Sequence, residues 1–185
     1  MNSIWVNQSL GVDPATGYEL FQAVNGDIVT TWSTDNYVIG GCKDSDMEGT
    51  FGTNLAWKGF QLNAIFRYNY GGQIYNQTLV DKVQDADLRE NVDRRVFEDR
   101  WQKPGDVTPL KDIKDRSTTT KPSSRFVQDN NVLSLNALTL SYDFDTQLIK
   151  KIGLNVLRLE VSTNDLLRFS SIKQERGTSY PYAKT

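Results

Sequence analysis

Apolar and polar residues alternate almost without interruption in the stretch KGFQLNAIFRYNY, which spans residues 58–70. Side chains two residues apart on a strand share a face, so this pattern predicts a strand with one apolar and one polar side. The apolar row consists of Phe60, Leu62, Ala64, Phe66, Tyr68 and Tyr70, and the other row of Gln61, Asn63, Ile65, Arg67 and Asn69. Residues 51–57 alternate in the same way, and Lys58-Gly59 between the two stretches predicts a tight hairpin.

The same alternation recurs later in the chain, at residues 138–144 and 157–161. Shorter strands are expected at residues 18–21 and 28–32. Turns or loops are expected in four places: a hairpin turn at Asn25-Gly26, a loop at Gly40-Gly41, one helical turn within residues 147–153, and mostly loop after Asp165.

The segment from residue 71 to residue 130 interrupts the alternation. A helix is expected from about Asp81 to Trp101, because apolar residues recur there at roughly helical spacing. They are Val83, Leu88, Val92, Val96 and Phe97. An insertion of about sixty residues between strands is unusually long for a compact soluble β-domain, which indicates that the segment has a function of its own.

The apolar rows could face either a protein core or lipid. A tilted strand crosses a bilayer with about 9–11 residues, a length that residues 60–70 supply. A β-sandwich and a barrel both fit the rows and the aromatic residues near the strand ends. The alternation of short and long connections favours the barrel. The predicted fold is therefore all-β and antiparallel: an open, curved sheet from a large transmembrane β-barrel, with a short helix in a long extracellular loop.

Composition excludes several classes of protein. The 185 residues carry a net charge of -2, so no global basic field would attract nucleic acid. Histidine is absent from the sequence, which excludes His-based catalytic triads, metal sites and proton shuttles. Cys42 is the only cysteine and has no partner for an internal disulfide. No stretch approaches the roughly 20 apolar residues of a membrane-spanning helix.

Several motifs, in this order along the chain, resemble the closing part of SusC/RagA-type TonB-dependent outer-membrane transporters. The resemblance covers essentially the whole sequence, and the motifs are specific jointly rather than singly. They are GVDPATG at residues 11–17, GTFGTN at 49–54, WKGF at 57–60, RWQKPGDVT at 100–108, LNALTLSY at 135–142, LRLEVSTNDLL at 157–167 and YPY at 180–182.

The resemblance implies import of glycans or peptides across a Gram-negative outer membrane through a multi-pass barrel closed by an N-terminal plug. Energy would come from the TonB complex, and a SusD-like surface lipoprotein would cap the outer mouth. The sequence has no counterpart of the plug or of the TonB-contact segment, and a last strand is expected after Tyr182. Residues 1–185 are therefore interpreted as the C-terminal part of such a barrel, with outer-membrane lipid against its apolar rows.

Two groups of polar residues are candidates for function. Gln61, Asn63, Arg67, Asn69, Arg158 and Glu160 lie on polar strand faces, where they would either line the lumen and contact solute or be merely solvated. Side-chain amides suit sugar hydroxyls, which both donate and accept hydrogen bonds. Arg94, Arg95, Arg100 and Trp101 would contact the lid protein or solute, or would form a solvated helix face and a fixed loop.

No catalytic residue, metal site or cofactor is expected. Two acidic groups, Asp44/Asp46/Glu48 and Asp81/Asp85/Asp87, lack the glycine and glutamate of an EF-hand loop. The leading hypothesis is the wall and extracellular loops of an importer of oligosaccharides or peptides, with no enzymatic activity. A surface or secreted β-sandwich that binds carbohydrate is the alternative, and a soluble hydrolase that uses carboxylates alone is a third.

Overall fold

The computed structural model describes residues 2–89, 91–115, 120–145, 147 and 150–172. Its strands are, in chain order, β1 (Ser3–Val12), β2 (Glu19–Gln22), β3 (Ile28–Val29), β4 (Tyr37–Cys42), β5 (Met47–Trp57), β6 (Phe60–Tyr70), β7 (Gln73–Tyr75), β8 (Val127–Asp129), β9 (Val132–Asp143) and β10 (Arg158–Ser170). All pairs among these strands are antiparallel, which confirms the predicted all-β, antiparallel class. Within the described ranges, no helix combines the length and the apolar character that crossing a membrane requires.

The chain divides into two units. Unit 1 comprises residues 1–44, 72–129 and 172–185, and unit 2 comprises residues 45–71 and 130–171. In unit 1, one sheet has the strand order β3-β2-β1-β4 and a second sheet pairs β7 with β8. In unit 2, a single sheet has the order β10-β9-β6-β5. The predicted closing strand after Tyr182 lies outside the described residues.

Unit 2 confirms the predicted hairpin. β5 and β6 pair in an unbroken register from Met47↔Tyr70 to Trp57↔Phe60. Lys58 and Gly59 form the turn with positive φ angles of 45° and 88°. Two positive φ angles are typical of the two-residue turn that matches the twist of antiparallel strands. β9 pairs with both β6 and β10, so the alternating segments of the sequence form one continuous sheet.

The prediction of mostly loop after Asp165 was wrong for the residues described there, because β10 continues to Ser170. The register of β10 on β9 shifts between Asn164 and Leu167, and Asp165 has a φ of 51°. Such a bulge breaks the alternation of the sequence without ending the strand. The predicted helical turn before β10 is present as a 3₁₀ turn at Lys150–Ile152, followed by Gly153 with a φ of 79°.

The prediction of a loop at Gly40-Gly41 was also wrong, since both glycines lie within β4. The β1–β4 register skips a residue at Gly40, and a Cβ at that position would lie 2.3 Å from Val6 Cγ2. Glycine therefore serves a bulge and a close approach of two strands here, rather than a turn. The expected strands near residues 18–21 and 28–32 are present, although the second is only Ile28–Val29.

The helix expected from about Asp81 to Trp101 is not formed as one element. α1 (Gln77–Leu79) continues into a π-helical turn at Val80–Gln84, and α2 spans only Arg95–Glu98. Between them, the Asp87 carboxylate accepts the backbone N–H of Arg89, and Asp93 accepts that of Arg95, each at 3.0 Å. Such local aspartate bonds compete with helical hydrogen bonding. Val83, Ala86, Val96 and Leu110 nevertheless form a buried cluster, and Val92 packs against it.

Candidate functional site

The sheet of unit 2 has one predominantly polar face that carries all six candidate lumen residues. Gln61, Asn63, Arg67 and Asn69 alternate along β6, and Arg158 and Glu160 alternate along β10. The register pairs Gln61 with Ser141 and Ser141 with Glu160, so the two groups share a face with β9 between them. Two strand spacings separate β6 from β10, a distance of roughly 10 Å. Their contact with solute stays a prediction.

One carboxylate joins the two groups. Asp143, at the end of β9, accepts hydrogen bonds from Gln61 Nε2 at 3.1 Å and from Arg158 Nε at 2.5 Å and Nη2 at 2.8 Å. The sequence analysis missed Asp143, because its position opposite Arg158 depends on the register between β9 and β10. The partly exposed pair contributes little to stability, but it fixes the orientation of an amide and a guanidinium on the polar face.

The opposite face of the same sheet is apolar and mostly exposed, although Ala64 and Leu135 on its inner strands are buried. The register aligns Leu55, Leu62, Leu140 and Val161 in one cross-strand row and Phe51, Phe66, Leu135 and Leu167 in another. Leu55 is 57% exposed and Val161 is 63% exposed, and Phe51, 52% exposed, stacks on Phe66 with ring centroids 5.1 Å apart. These side chains are more exposed than the inward-facing residues of a β-sandwich, which pack between its two sheets.

Aromatic side chains concentrate at the tight-turn end of this sheet. The rings of Phe60 and Tyr142 lie 4.4 Å apart, and those of Tyr142 and Phe144 lie 4.8 Å apart. Trp57 is 68% exposed, and Lys58 Nζ lies 5.1 Å from the centre of its ring. Tyr68 and Tyr70 lie at the other end of β6. Aromatic residues at both ends of a strand that is apolar on one side are typical of membrane-interface girdles.

Among the candidate loop residues, Arg100 is buried and supports the fold of unit 1. Its guanidinium donates to four backbone carbonyls: Val96 O at 2.9 Å, Lys111 O at 3.1 Å, Val83 O at 2.8 Å and Gln84 O at 2.7 Å. These bonds tie the π-helical turn, α2 and the segment around residue 111 together. Arg94 is exposed and pairs with Glu98, and Arg95 pairs with Asp93 at 3.1 Å.

Trp101 joins two motifs on which the resemblance rests. Its Nε1 donates to Pro14 O at 2.9 Å, and a Cβ at Gly17 would lie 2.6 Å from its ring. Gly17 has a φ of 75°, so both its backbone conformation and the close indole require glycine. In the same turn, Asp13 accepts from Thr16 Oγ1 at 2.6 Å, and this bond holds the pKa of Asp13 below its usual range. Contact of Trp101 with a lid protein stays a prediction.

The acidic groups Asp44/Asp46/Glu48 and Asp81/Asp85/Asp87 do not form a metal site in the structure. In the described part of the chain, no three His, Cys, Asp or Glu side chains lie close enough together to hold a metal ion. Asp44 accepts from Asn2 Nδ2 at 2.8 Å. Asp85 accepts from Thr120 Oγ1 at 2.6 Å, and Asp87 pairs with Arg89 at 2.7 Å.

Comparison with known proteins identifies relatives for most of the chain. It is 29% identical over 157 residues to one TonB-dependent receptor of Formosa agariphila, and 30% identical over 166 residues to a second receptor of that name from the same organism. These alignments cover 82% and 88% of this chain but only 15% of each relative. The chain thus spans less than a sixth of the length of these relatives. No family model matches the sequence.

Solved structures of the RagAB peptide importer share the fold. The 'open-open' state matches 93% of this chain and 19% of the compared chain, with a TM-score of 0.76 and 20% identity. The 'closed-closed' state matches 92% of this chain and 20% of the compared chain, with a TM-score of 0.74 and 19% identity. The chain therefore has the fold of a segment of a β-barrel transporter. Its resemblance to SusC/RagA-type TonB-dependent transporters is confirmed.

Proposed function

We propose that this chain supplies barrel wall and extracellular loops to a TonB-dependent outer-membrane importer of oligosaccharides or peptides. The observation that carries the proposal is the exposed apolar face of unit 2 opposite a polar face. Contiguous apolar patches of this kind are rare on soluble monomers, because each Å² left in water forgoes about 25 cal/mol of burial free energy. Contact with acyl chains on one side and with a water-filled lumen on the other satisfies both faces.

The proposed partners follow from the same assignment. A SusD-like surface lipoprotein would cap the importer, and the exposed Arg94 of unit 1 is a candidate contact for it. The TonB complex would act on a plug of the complete receptor rather than on residues of this chain. The proposed role needs no covalent chemistry, because import requires binding and gated passage. The polar face offers amides, guanidinium groups and carboxylates, which serve sugar hydroxyls and peptide groups alike.

Deletion of the gene is expected to abolish growth of the source organism on one oligosaccharide or peptide supplied as sole carbon source. Growth on the corresponding monosaccharide or free amino acids should be unchanged, because smaller solutes have other routes. Depletion of TonB should reproduce the defect, and the complete protein should fractionate with the outer membrane. Recovery of the protein from the aqueous fraction, together with unimpaired growth on every oligomeric solute supplied, would contradict the proposal.

A further inference from the structure

Unit 1 contains a pocket of about 450 Å³, a size typical of small-molecule sites. Its walls come from Tyr18 and β2, from the residues that follow β3, and from residues 111, 115, 120 and 121. Sequence analysis gave no indication of this pocket, because its walls are distant in sequence. The side chains that matter for recognition are Tyr18, Glu19, Trp32, Lys111, Asp115 and Lys121.

The aromatic wall of the pocket is held in a fixed orientation. Trp32 Nε1 donates to Pro122 O at 2.9 Å, and the ring of Trp32 meets that of Tyr37 edge-on at 5.5 Å. Trp32 is partly exposed, with the Nζ of the exposed Lys121 lying 6.0 Å from the centre of its ring, and Tyr18, at the same pocket, is 52% exposed. A pre-positioned aromatic face binds flat apolar surfaces without an ordering cost. The C–H face of a pyranose ring is such a surface.

Three of the four charged side chains that line the pocket, Glu19, Lys111 and Asp115, are already in ion pairs. The Lys111 side chain is only 7% exposed and its Nζ lies 3.1 Å from Asp115 Oδ2. The Glu19 side chain is also 7% exposed and binds Arg125 at 2.7 Å. An ionic ligand that bound any of these three groups would have to break a buried pair, which is strongly unfavourable. The fourth group, Lys121, is exposed, so a charge contact there adds little affinity. A neutral ligand with many hydroxyl groups can instead donate to the carboxylates and accept from the ammonium groups without separating them.

From these features we infer that the pocket is a binding site for a neutral oligosaccharide, with a sugar ring stacked on Trp32 and its hydroxyl groups bonded around the Lys111–Asp115 pair. The hydroxyl groups of Thr30, Thr31 and Thr120 at the same pocket add donors and acceptors of the kind that sugars use. This inference rests on the proposed function, because it assigns the solute that the importer meets at this pocket.

The test is isothermal titration calorimetry on the complete protein that the gene encodes, purified in detergent. Probes are neutral hexasaccharides of the β-glucan, α-glucan, xylan and mannan series, with an acidic hexasaccharide and a ten-residue peptide for comparison. At least one neutral probe should bind.

The Trp32→Ala variant should bind that probe about tenfold or more weakly, whereas Trp32→Phe should retain most of the affinity. Tyr18→Ala should also weaken the binding, without disturbing a buried contact. Trp5→Ala is the matched control, because Trp5 is a half-exposed tryptophan of the same unit outside the pocket, and it should leave affinity unchanged.

Two sets of outcomes overturn the inference. One is that no neutral hexasaccharide binds, whether or not the acidic hexasaccharide or the peptide does. The other is neutral binding that is equally insensitive to Trp32→Ala and Tyr18→Ala. Outer-membrane abundance and TonB-dependent growth are measured in the same strains. If both are normal while the pocket variants bind like wild type, the inference fails and the proposed function stands; if the protein is absent from the outer membrane, the proposed function fails.

Discussion

Replacing Arg100 with methionine is expected to unfold the part of unit 1 around the buried cluster of Val83, Ala86, Val96 and Leu110. Methionine keeps much of the aliphatic volume but leaves four buried carbonyl groups without the donors that the guanidinium provides. Each unsatisfied buried acceptor costs about 1–3 kcal/mol, so the expected loss is about 4 kcal/mol or more. That is a large share of the roughly 5–15 kcal/mol that stabilises a typical domain.

Limited proteolysis of the complete protein, followed by mass spectrometry of the fragments, measures this effect locally. The Arg100→Met protein should be cleaved within residues 72–129 at protease concentrations that leave the wild type intact. Arg94→Met is the control, because it removes an exposed arginine whose pair with Glu98 is worth about 0–1 kcal/mol. Wild-type resistance of Arg100→Met would show that the carbonyl groups find other donors and that Arg100 is not a structural residue.

The second large effect is expected at Phe51, midway along β5 on the apolar face of unit 2. Arginine at the bilayer midplane of a barrel strand costs about 2–4 kcal/mol. Loss of the stacked Phe51–Phe66 pair adds about 0.5–1.5 kcal/mol. If this face met water, the same substitution at a half-exposed position would cost little, because the side chain would remain solvated. The effect of the substitution therefore distinguishes a row that faces lipid from a row that faces water.

The measurement is the amount of folded complete protein in the outer membrane, assayed by heat-modifiable gel mobility. Phe51→Arg should reduce it strongly. Asn54→Arg, on the opposite face of the same strand, should not, because Asn54 pairs with Asn63 in the polar row. Equal abundance of the two variants would argue against lipid contact at Phe51.

The strands of unit 2 could be predicted from the sequence because their signal is local. Alternation along β6 assigns each residue to a face, and Lys58-Gly59 marks the turn, without knowledge of any distant contact. The same rule grouped Gln61 and Asn63 with Arg67 on one face. The strand end at Ser170 could not be predicted, since the bulge near Asp165 shifts the alternation. Likewise, Gly40 could not be recognised as a bulge residue without the packing of β4 on Val6.

Unit 1 was less accessible to sequence analysis because its contacts join distant segments. The apolar spacing at residues 83–97 correctly indicated burial of Val83 and Val96, but local bonds of Asp87 and Asp93 prevent one long helix. The roles of Arg100 and of the Glu19–Arg125 pair depend on which backbone segments meet around them. The same holds for the pocket at Trp32. The placement of residues 1–185 at the C-terminal end of a barrel stays a prediction.

The most direct test of the central claim, that the apolar row of unit 2 meets lipid, is nitroxide accessibility in the complete protein reconstituted in liposomes. Labels on single cysteines at positions 55 and 161 should collide with dissolved oxygen more than with a water-soluble nickel chelate. Labels at the neighbouring positions 54 and 162 should show the reverse, because the register assigns them to the polar face. Equal access of the nickel chelate to all four positions would contradict the account.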